Sequence, residues 1–454
     1  MSWEPQIAAG RPKYLAIVEA LESDLQSGRL KPGDQLPPQR EIADRLGVTI
    51  ATVTKGIGEA IRRGLVTARA GSGTFVRAAT VADSATERPS IDLSLNGVPV
   101  SPVAPFLDKA LNGLRAGADR ESLFGYQPSI GIERHRSAMA GWIALRGMEL
   151  RPGDICLTHG AQHGLAACFT GLLRAGDTVL CEAWTYTGIR RVADMARVRL
   201  VGVGMEPDGL DPADLAEKLK STGAKLVVCM SAVQNPTTAT MSAARRREIL
   251  AVCARFDALV IEDDIYGRLS GDEIRPLAAS NRERVIYLTS VSKCISPGFR
   301  LGALVAPEPV AAQLRDALLA THWTAPSFFG ELFAGMRESG LAEQCLAAQQ
   351  REAGHRLSLM KRIMPHERMP RLATYHLWQA LPAPWRAEDF VAALSEEGVR
   401  VSPASHFAVD AEAANANYIR ICLGGTDDRA ALGTGLSAIE RLLRSKPRIG
   451  APVI

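Results

Sequence analysis

Residues 285–306 read VIYLTSVSKCISPGFRLGALVA. Two apolar, β-prone runs, VIYLTS and LGALVA, enclose a polar segment in which Lys293 follows Ser292 and Arg300 stands seven residues further on. The same pattern extends upstream. The runs DICLT, TVLCEA, RLVGV, KLVVCM and ALVIEDD alternate with helical stretches. Strands alternating with helices predict an α/β fold with a mainly parallel sheet. In such sheets ligands gather at the carboxyl ends of the strands. Polar clusters stand there in this chain: HGAQHG after ICLT, WTYTG after VLCEA, SAVQNPTT after LVVCM, DIYG after LVIED, and VSKC after VIYLTS. Such an arrangement predicts a ligand site.

The chain has 454 residues, enough for two or three domains. Its apolar share of 46% and charged share of 22% are those of a globular protein. No apolar run approaches the roughly 18 residues of a membrane span, and the first residues lack the apolar core of a signal peptide. Eight cysteines are scattered without a CxxC pair or a Cys/His cluster. That argues against zinc and fits a reduced cytoplasm. Residues 35–80 hold seven basic side chains against three acids, an excess equal to the whole chain's net charge of +4. A concentrated excess of this kind suits a polyanion, although a solvated basic helix reads the same way.

In PKYLAIVEALESDLQSGRL, apolar residues at 14, 17, 18, 21 and 25 define a one-faced helix. QREIADRLGVTIATVTKGIGEAIRRG gives a short helix, a break at Gly47 and a second helix, the spacing of a helix-turn-helix. LVTARAGSGTFV then reads as a hairpin around residues 71–73, placed as a wing. Together LPPQREIADRLGV, TVTKGIGEAIRRGLV and GSGTFV resemble the winged helix-turn-helix of the GntR family. The resemblance implies double-stranded DNA as partner, with contacts at Arg40, Thr49, Ala51, Thr52 and the wing tip at Gly71, and Lys55 beside them is a further candidate for a phosphate contact. Thr49 also suits a helix N-cap, and Lys55 a solvated position. The chain departs from the family at Ile50 and Thr54, where many members carry arginine, the commonest reader of base edges. Residues 77–90 are small and polar, and read as a linker. About 14 flexible residues span roughly 20 Å.

From residue 91 onward, GAQHG, EAWTYTG, QNPTT, IEDDIYG, SVSKCISPGFRLG and NYIRICLGG stand in the order of a class I/II aminotransferase of fold type I, which the chain resembles. Pyridoxal 5'-phosphate needs an amine for its aldehyde, an acid beside its pyridine nitrogen, and donors for its phenolic oxygen and phosphate. The resemblance assigns these parts. Lys293 would form the internal aldimine, and Asp263 would pair with the pyridinium nitrogen. Glu262 and Asp264 are rivals by proximity, and the spacing to Tyr266 favours Asp263. Asn235 and Tyr266 would hold the phenolic oxygen, and Tyr186 would stack on the ring. Ala161, Gln162, Ser290, Ser292 and Arg300 would form the phosphate cup, with Ala161 standing where the family often has a hydroxyl. Tyr126 matches a tyrosine that crosses a dimer interface to the phosphate, and Arg420 the arginine that forks onto a substrate carboxylate. Each has a plainer reading: a surface lysine, a helix cap, a turn, a core aromatic or a surface ion pair. Trp184, Trp323 and His406 would shape specificity or simply pack.

The expected organisation is a reader over 1–78, a linker over 79–90, and a cofactor domain over 91–454, with a small α+β subdomain from about 335. A GntR reader joined to an aminotransferase-like domain resembles the MocR subfamily of regulators. That resemblance implies a cytoplasmic, head-to-tail homodimer sensing an amino acid or amine through the aldimine on Lys293. Two readings stay open beside it: a working aminotransferase with an accessory module, and a DNA-binding protein whose large domain only dimerises.

Overall fold

The computed structural model describes residues 3, 13–26, 29–30, 34–62, 65–69, 73–76, 91–117, 123–365, 370 and 372–446. Contacts divide the chain into two units, 1–88 and 89–454. The linker expected over 79–90 lies outside the described residues, as does Gly71.

The first unit packs helices Lys13–Gln26, Gln39–Leu46 and Ile50–Arg62 against an antiparallel hairpin, Val66–Arg69 with Gly73–Val76. Ile17, Leu21, Ile42, Val53, Ile57, Val66 and Val76 form its core, so the apolar face read from 17, 18 and 21 turns inward. Gly47 ends the second helix in the left-handed region at φ 58°, and its N–H reaches back to Ala43 O and Asp44 O. A side chain is strained there, which is why the break falls on a glycine.

The second unit is built on a sheet of the order Ile155–Thr158, Gly302–Val305, Val285–Ser290, Leu259–Asp263, Leu226–Cys229, Thr178–Glu182, Arg199–Val203. All the runs picked out by β-propensity are strands of this sheet. Alternate residues enter two different cores: Val227 and Cys229 one, Leu226 and Val228 the other. Both faces are therefore covered, as near-continuous apolar strands require. Gly302–Val305 runs antiparallel to both neighbours, while the remaining pairs are parallel. The reason is chain length. Residues 291–301 are too few for the crossover of a dozen or more that a parallel return needs. This tight return brings Lys293 and Arg300 to the same end of the sheet.

A smaller sheet, His376–Ala380, Tyr418–Cys422 and Ser402–Pro403, is covered by helices Ala387–Glu396 and Arg429–Leu443. It also takes in residues from the start of the unit. Ile91–Asp92 pairs with Val399–Arg400, Cys422 N donates to Leu93 O at 2.7 Å, and Leu93 is fully buried beside Phe390 and Ile421. The small subdomain is thus assembled from both ends of the unit, which lays the chain after Leu93 across the cleft between the two sheets.

Candidate functional site

Eleven of the residues singled out by sequence line one cavity of about 470 Å³: Lys293, Asp263, Tyr266, Asn235, Tyr186, Ala161, Gln162, Ser290, Ser292, Arg300 and Arg420. Tyr126 does not. It lies on an exposed loop, 86% accessible in the single chain. Trp184, Trp323 and His406 are also absent from its lining. Trp184 is tied to Ala413 O through Nε1 at 2.9 Å, and Trp323 is 64% exposed.

One end of the cavity is shaped for an anion. Helix Ala161–Leu172 begins after Gly160, and the first N–H groups of a helix have no partner within it. Gly160 has φ 77° and ψ 171°, a conformation nearly restricted to glycine. A Cβ at Gly160 would lie 2.7 Å from Arg300 Nη2, so the missing side chain lets the guanidinium reach the helix terminus. Arg300 itself stands in the left-handed region at φ 44°. Ser290 and Ser292 line the same end, with Oγ atoms 2.8 Å apart. Gly188 is just as constrained: a Cβ there would come within 2.2 Å of Gln162 Oε1 and Tyr186 Cε1. Tyr186 therefore lies against bare backbone. Burial and the Asp263 carboxylate push its phenol up.

The other end gathers the Lys293 amine and the Asp263 carboxyl. Strand Leu259–Asp263 ends in Glu262 and Asp263, Asp264 follows directly, and their surroundings separate the three acids. Glu262 is engaged by Leu277 N at 2.9 Å, Ala278 N at 3.0 Å and the Ser231 hydroxyl. Asp264 accepts from Arg146 Nε at 3.0 Å and Tyr287 Oη at 2.8 Å. Asp263, 5% exposed, leaves Oδ1 buried without a partner. Burial, then the neighbouring Asp264 charge, raise its carboxyl to about 7. Lys293 donates to Asn96 O, and burial, helped by Arg420 and Arg300, lowers its amine to about 8.

Arg420 bridges the two sheets. It stands on Tyr418–Cys422, donates to Asn235 Oδ1 at 2.9 Å and to Ser94 O at 2.6 Å, and lies over the Phe407 ring at 4.5 Å. The peptide bond before Pro236 is cis. Tyr266 Oη accepts from Asn96 Nδ2 at 2.7 Å. His376 stacks obliquely behind Tyr266 at 5.3 Å; burial lowers it to about 3, so it stays neutral. Sequence reasoning missed Ser94, Asn96 and His376. The only local sign was Asn-Gly in SLNGVP, which reads as a turn.

Asn96 Oδ1, Gln162 Oε1, Asp263 Oδ1 and Arg420 Nε are buried without partners, and all four residues line this cavity. Buried polar atoms are nearly always paired, so such a concentration marks a place for a polar ligand. Among the described residues, no group of His, Cys, Asp and Glu is arranged to hold a metal ion, and no helix is long and apolar enough to cross a membrane.

In the first unit, Arg40, Thr49, Ala51 and Lys55 are exposed and Thr52 is half-buried. Thr49 Oγ1 accepts from Thr52 N at 3.3 Å, as a cap does. Lys55 Nζ lies 4.1 Å from the centre of the Tyr14 ring. Thr54 Oγ1 donates to Gln39 Oε1 at 2.7 Å, which ties the two helices of the turn motif together.

Residues 89–432 match the family model "Aminotransferase class I and II", and residues 13–76 match "Bacterial regulatory proteins, gntR family". The chain is 28% identical to the uncharacterized HTH-type transcriptional regulator YdeF of Bacillus subtilis (strain 168), over 98% of this chain and 97% of that one. It is 27% identical to the probable rhizopine catabolism regulatory protein MocR of Rhizobium meliloti, over 66% of each. Among solved structures it is similar to LysN, an alpha-aminoadipate aminotransferase of Thermus thermophilus complexed with N-(5'-phosphopyridoxyl)-L-leucine. The TM-score is 0.69 at 25% identity, over 78% of this chain and 92% of that one.

Proposed function

The chain belongs to the aminotransferase class I and II family, joined to a gntR-family module in the MocR-type arrangement, and from that premise we propose a transcriptional regulator that holds pyridoxal 5'-phosphate and senses an amino acid or other amine. The observation that carries this reading is the unpaired, buried Asp263 Oδ1, set in one cavity with the depressed Lys293 amine. When bound, the cofactor supplies an aldehyde that captures amines and a ring that accepts electrons. Lys293 offers the amine. Asp263 gives a pyridinium N–H the acceptor that its own surroundings lack. Asn235 and Tyr266 face the phenolic oxygen, and Tyr186 the ring. Ala161, Gln162, Ser290, Ser292 and Arg300 receive the phosphate, with Tyr126 arriving from the second copy of a head-to-tail homodimer.

Arg420 is held by two neutral oxygens, so its charge is available to an effector carboxylate. An amine competing with Lys293 shifts the regulator only by its differential affinity for two states. The reader, which we place at 1–78 and tether through 79–90 to a cofactor domain at 91–454, would contact DNA through Arg40, Thr49, Ala51, Thr52, Lys55 and Gly71. The small subdomain would begin near 335, with residues 91–93 added to it.

The test is spectroscopic and electrophoretic. The purified chain should show a cofactor band that disappears in Lys293→Ala, and an effector amine should change both that band and the retardation of the DNA upstream of its gene. Absence of the band, or DNA binding indifferent to every amine tried, would sink the proposal. The completeness of the cavity also favours a second reading, an active aminotransferase in which Lys293 moves the proton at the substrate Cα. Rapid steady-state turnover of a defined amino donor and keto acid would establish it.

A further inference from the structure

A second cavity, of about 530 Å³, shares no lining residue with the cofactor cleft. Three aromatic residues line it: Trp184, Trp378 and Tyr418. Trp378 and Tyr418, from paired antiparallel strands, lie parallel with an interplanar angle of 2° and centres 5.4 Å apart. Trp184 closes the corner at 6.2 Å from Trp378 and 6.4 Å from Tyr418, tilted by about 50° to each. Its indole is fixed by the bond from Nε1 to Ala413 O. Glu206 and Asp208 line the cavity as well. Arg245 pairs with both, at 3.1 Å for Asp208, which leaves two carboxylates against one guanidinium. Among the described lining residues none is Lys, Arg or His.

From these features we infer that this cavity binds an organic cation, an ammonium carrying methyl groups or a comparable onium head. The faces of aromatic rings present negative potential, and a cation over them is attracted most where water is excluded. A methylated ammonium cannot use many hydrogen bonds, and the three rings offer few. The surplus carboxylate supplies the charge. A neutral apolar guest would leave the carboxylates poorly solvated for no electrostatic return. Tyr418 stands two residues from Arg420 on one strand, so both face the same side of the small sheet. The inference does not depend on pyridoxal phosphate occupying the other cleft.

The experiment is calorimetric titration of the full chain with tetramethylammonium chloride at constant ionic strength, with sodium chloride and tert-butanol as controls. Saturable binding of tetramethylammonium alone is expected. Trp378→Leu should weaken it roughly two- to thirty-fold, the range of a cation–aromatic contact. Glu206→Gln and Asp208→Asn, on half-exposed side chains, should weaken it with the fold intact by circular dichroism, and Lys293→Ala should leave it unchanged. No saturable binding by the wild-type chain, equal binding of tert-butanol, or loss of binding in Lys293→Ala would overturn the inference.

Discussion

Gly160 and Arg300 are locked together at the anion end of the main cavity: a Cβ on Gly160 would stand 2.7 Å from Arg300 Nη2. The absence of one carbon and the placement of one charge are a single feature. Gly160→Ala also forces a side chain onto φ 77°, ψ 171°, a strain of roughly 1–3 kcal/mol. The expected outcome is that pyridoxal phosphate binds about ten-fold or more weakly, about 1.4 kcal/mol or more, because the guanidinium must move. Titration of the cofactor-free chain by absorbance checks this. An unchanged affinity would show that Arg300 does not hold the phosphate from this position.

Asp263 supplies a test that has opposite signs with and without cofactor. Burial and Asp264 raise its carboxyl to about 7 in the folded chain, against 3.8 for an ordinary aspartate. Between those values the folded chain holds a proton that the unfolded chain has released, so stability falls as pH rises. The shift costs nothing below about pH 3.8, and its full cost is reached above about pH 7. Asp263→Asn should therefore stabilise the cofactor-free chain by about 1–3 kcal/mol at pH 8 and hardly at all at pH 4. The same substitution should weaken cofactor binding, since the ring nitrogen loses its anionic partner. Urea unfolding at the two pH values and a cofactor titration read the two effects separately.

The strands and the polar clusters behind them were legible because β-propensity and alternation are local properties. The short run after Arg300 was legible as a strand, but its antiparallel direction was not read, although the length of residues 291–301 requires it. What could not be read was pairing across long separations. Asn96 meets Tyr266 across 170 positions and Arg420 meets Asn235 across 185. The first depends on residues 91–93 joining the small sheet, and Ile91–Asp92 is too short a strand to announce itself. The choice among Glu262, Asp263 and Asp264 was similar. Sequence spacing favoured Asp263, whereas the physical distinction is that Arg146 and Tyr287 engage Asp264, and Ser231 with the backbone of residues 277 and 278 engages Glu262.

Lys293 carries a prediction about pH. Its amine is lowered to about 8, chiefly by burial and then by Arg420 and Arg300. A lowered amine is neutral, hence nucleophilic, over a wider range than an ordinary lysine. The rate at which the cofactor-free chain takes up pyridoxal phosphate should rise with pH through a midpoint near 8. Arg420→Gln removes one of the two cations that depress it, and its midpoint should move upward. A stopped-flow pH profile of the two proteins decides. Identical midpoints would mean that Arg420 does not depress the amine.

Arg40 is exposed ahead of helix Ile50–Arg62, whose outward positions carry Ile50, Ala51, Thr54 and Lys55. Guanidinium and ammonium groups on a DNA-reading surface release counterions, so affinity falls steeply with salt. The two basic side chains should differ. Lys55 already lies over the Tyr14 ring within its own unit, which stabilises it away from a phosphate. Arg40 has no such partner among the described residues. Arg40→Ala should therefore reduce the slope of log affinity against log salt by about one. Lys55→Ala should change that slope less. With Thr54 engaged by Gln39 and no arginine at position 50, sequence preference should rest on few base contacts. Fluorescence anisotropy on the upstream DNA at several salt concentrations, compared with a scrambled duplex, measures the slope and the preference. A slope unchanged in Arg40→Ala would place the phosphate contacts elsewhere in the reader.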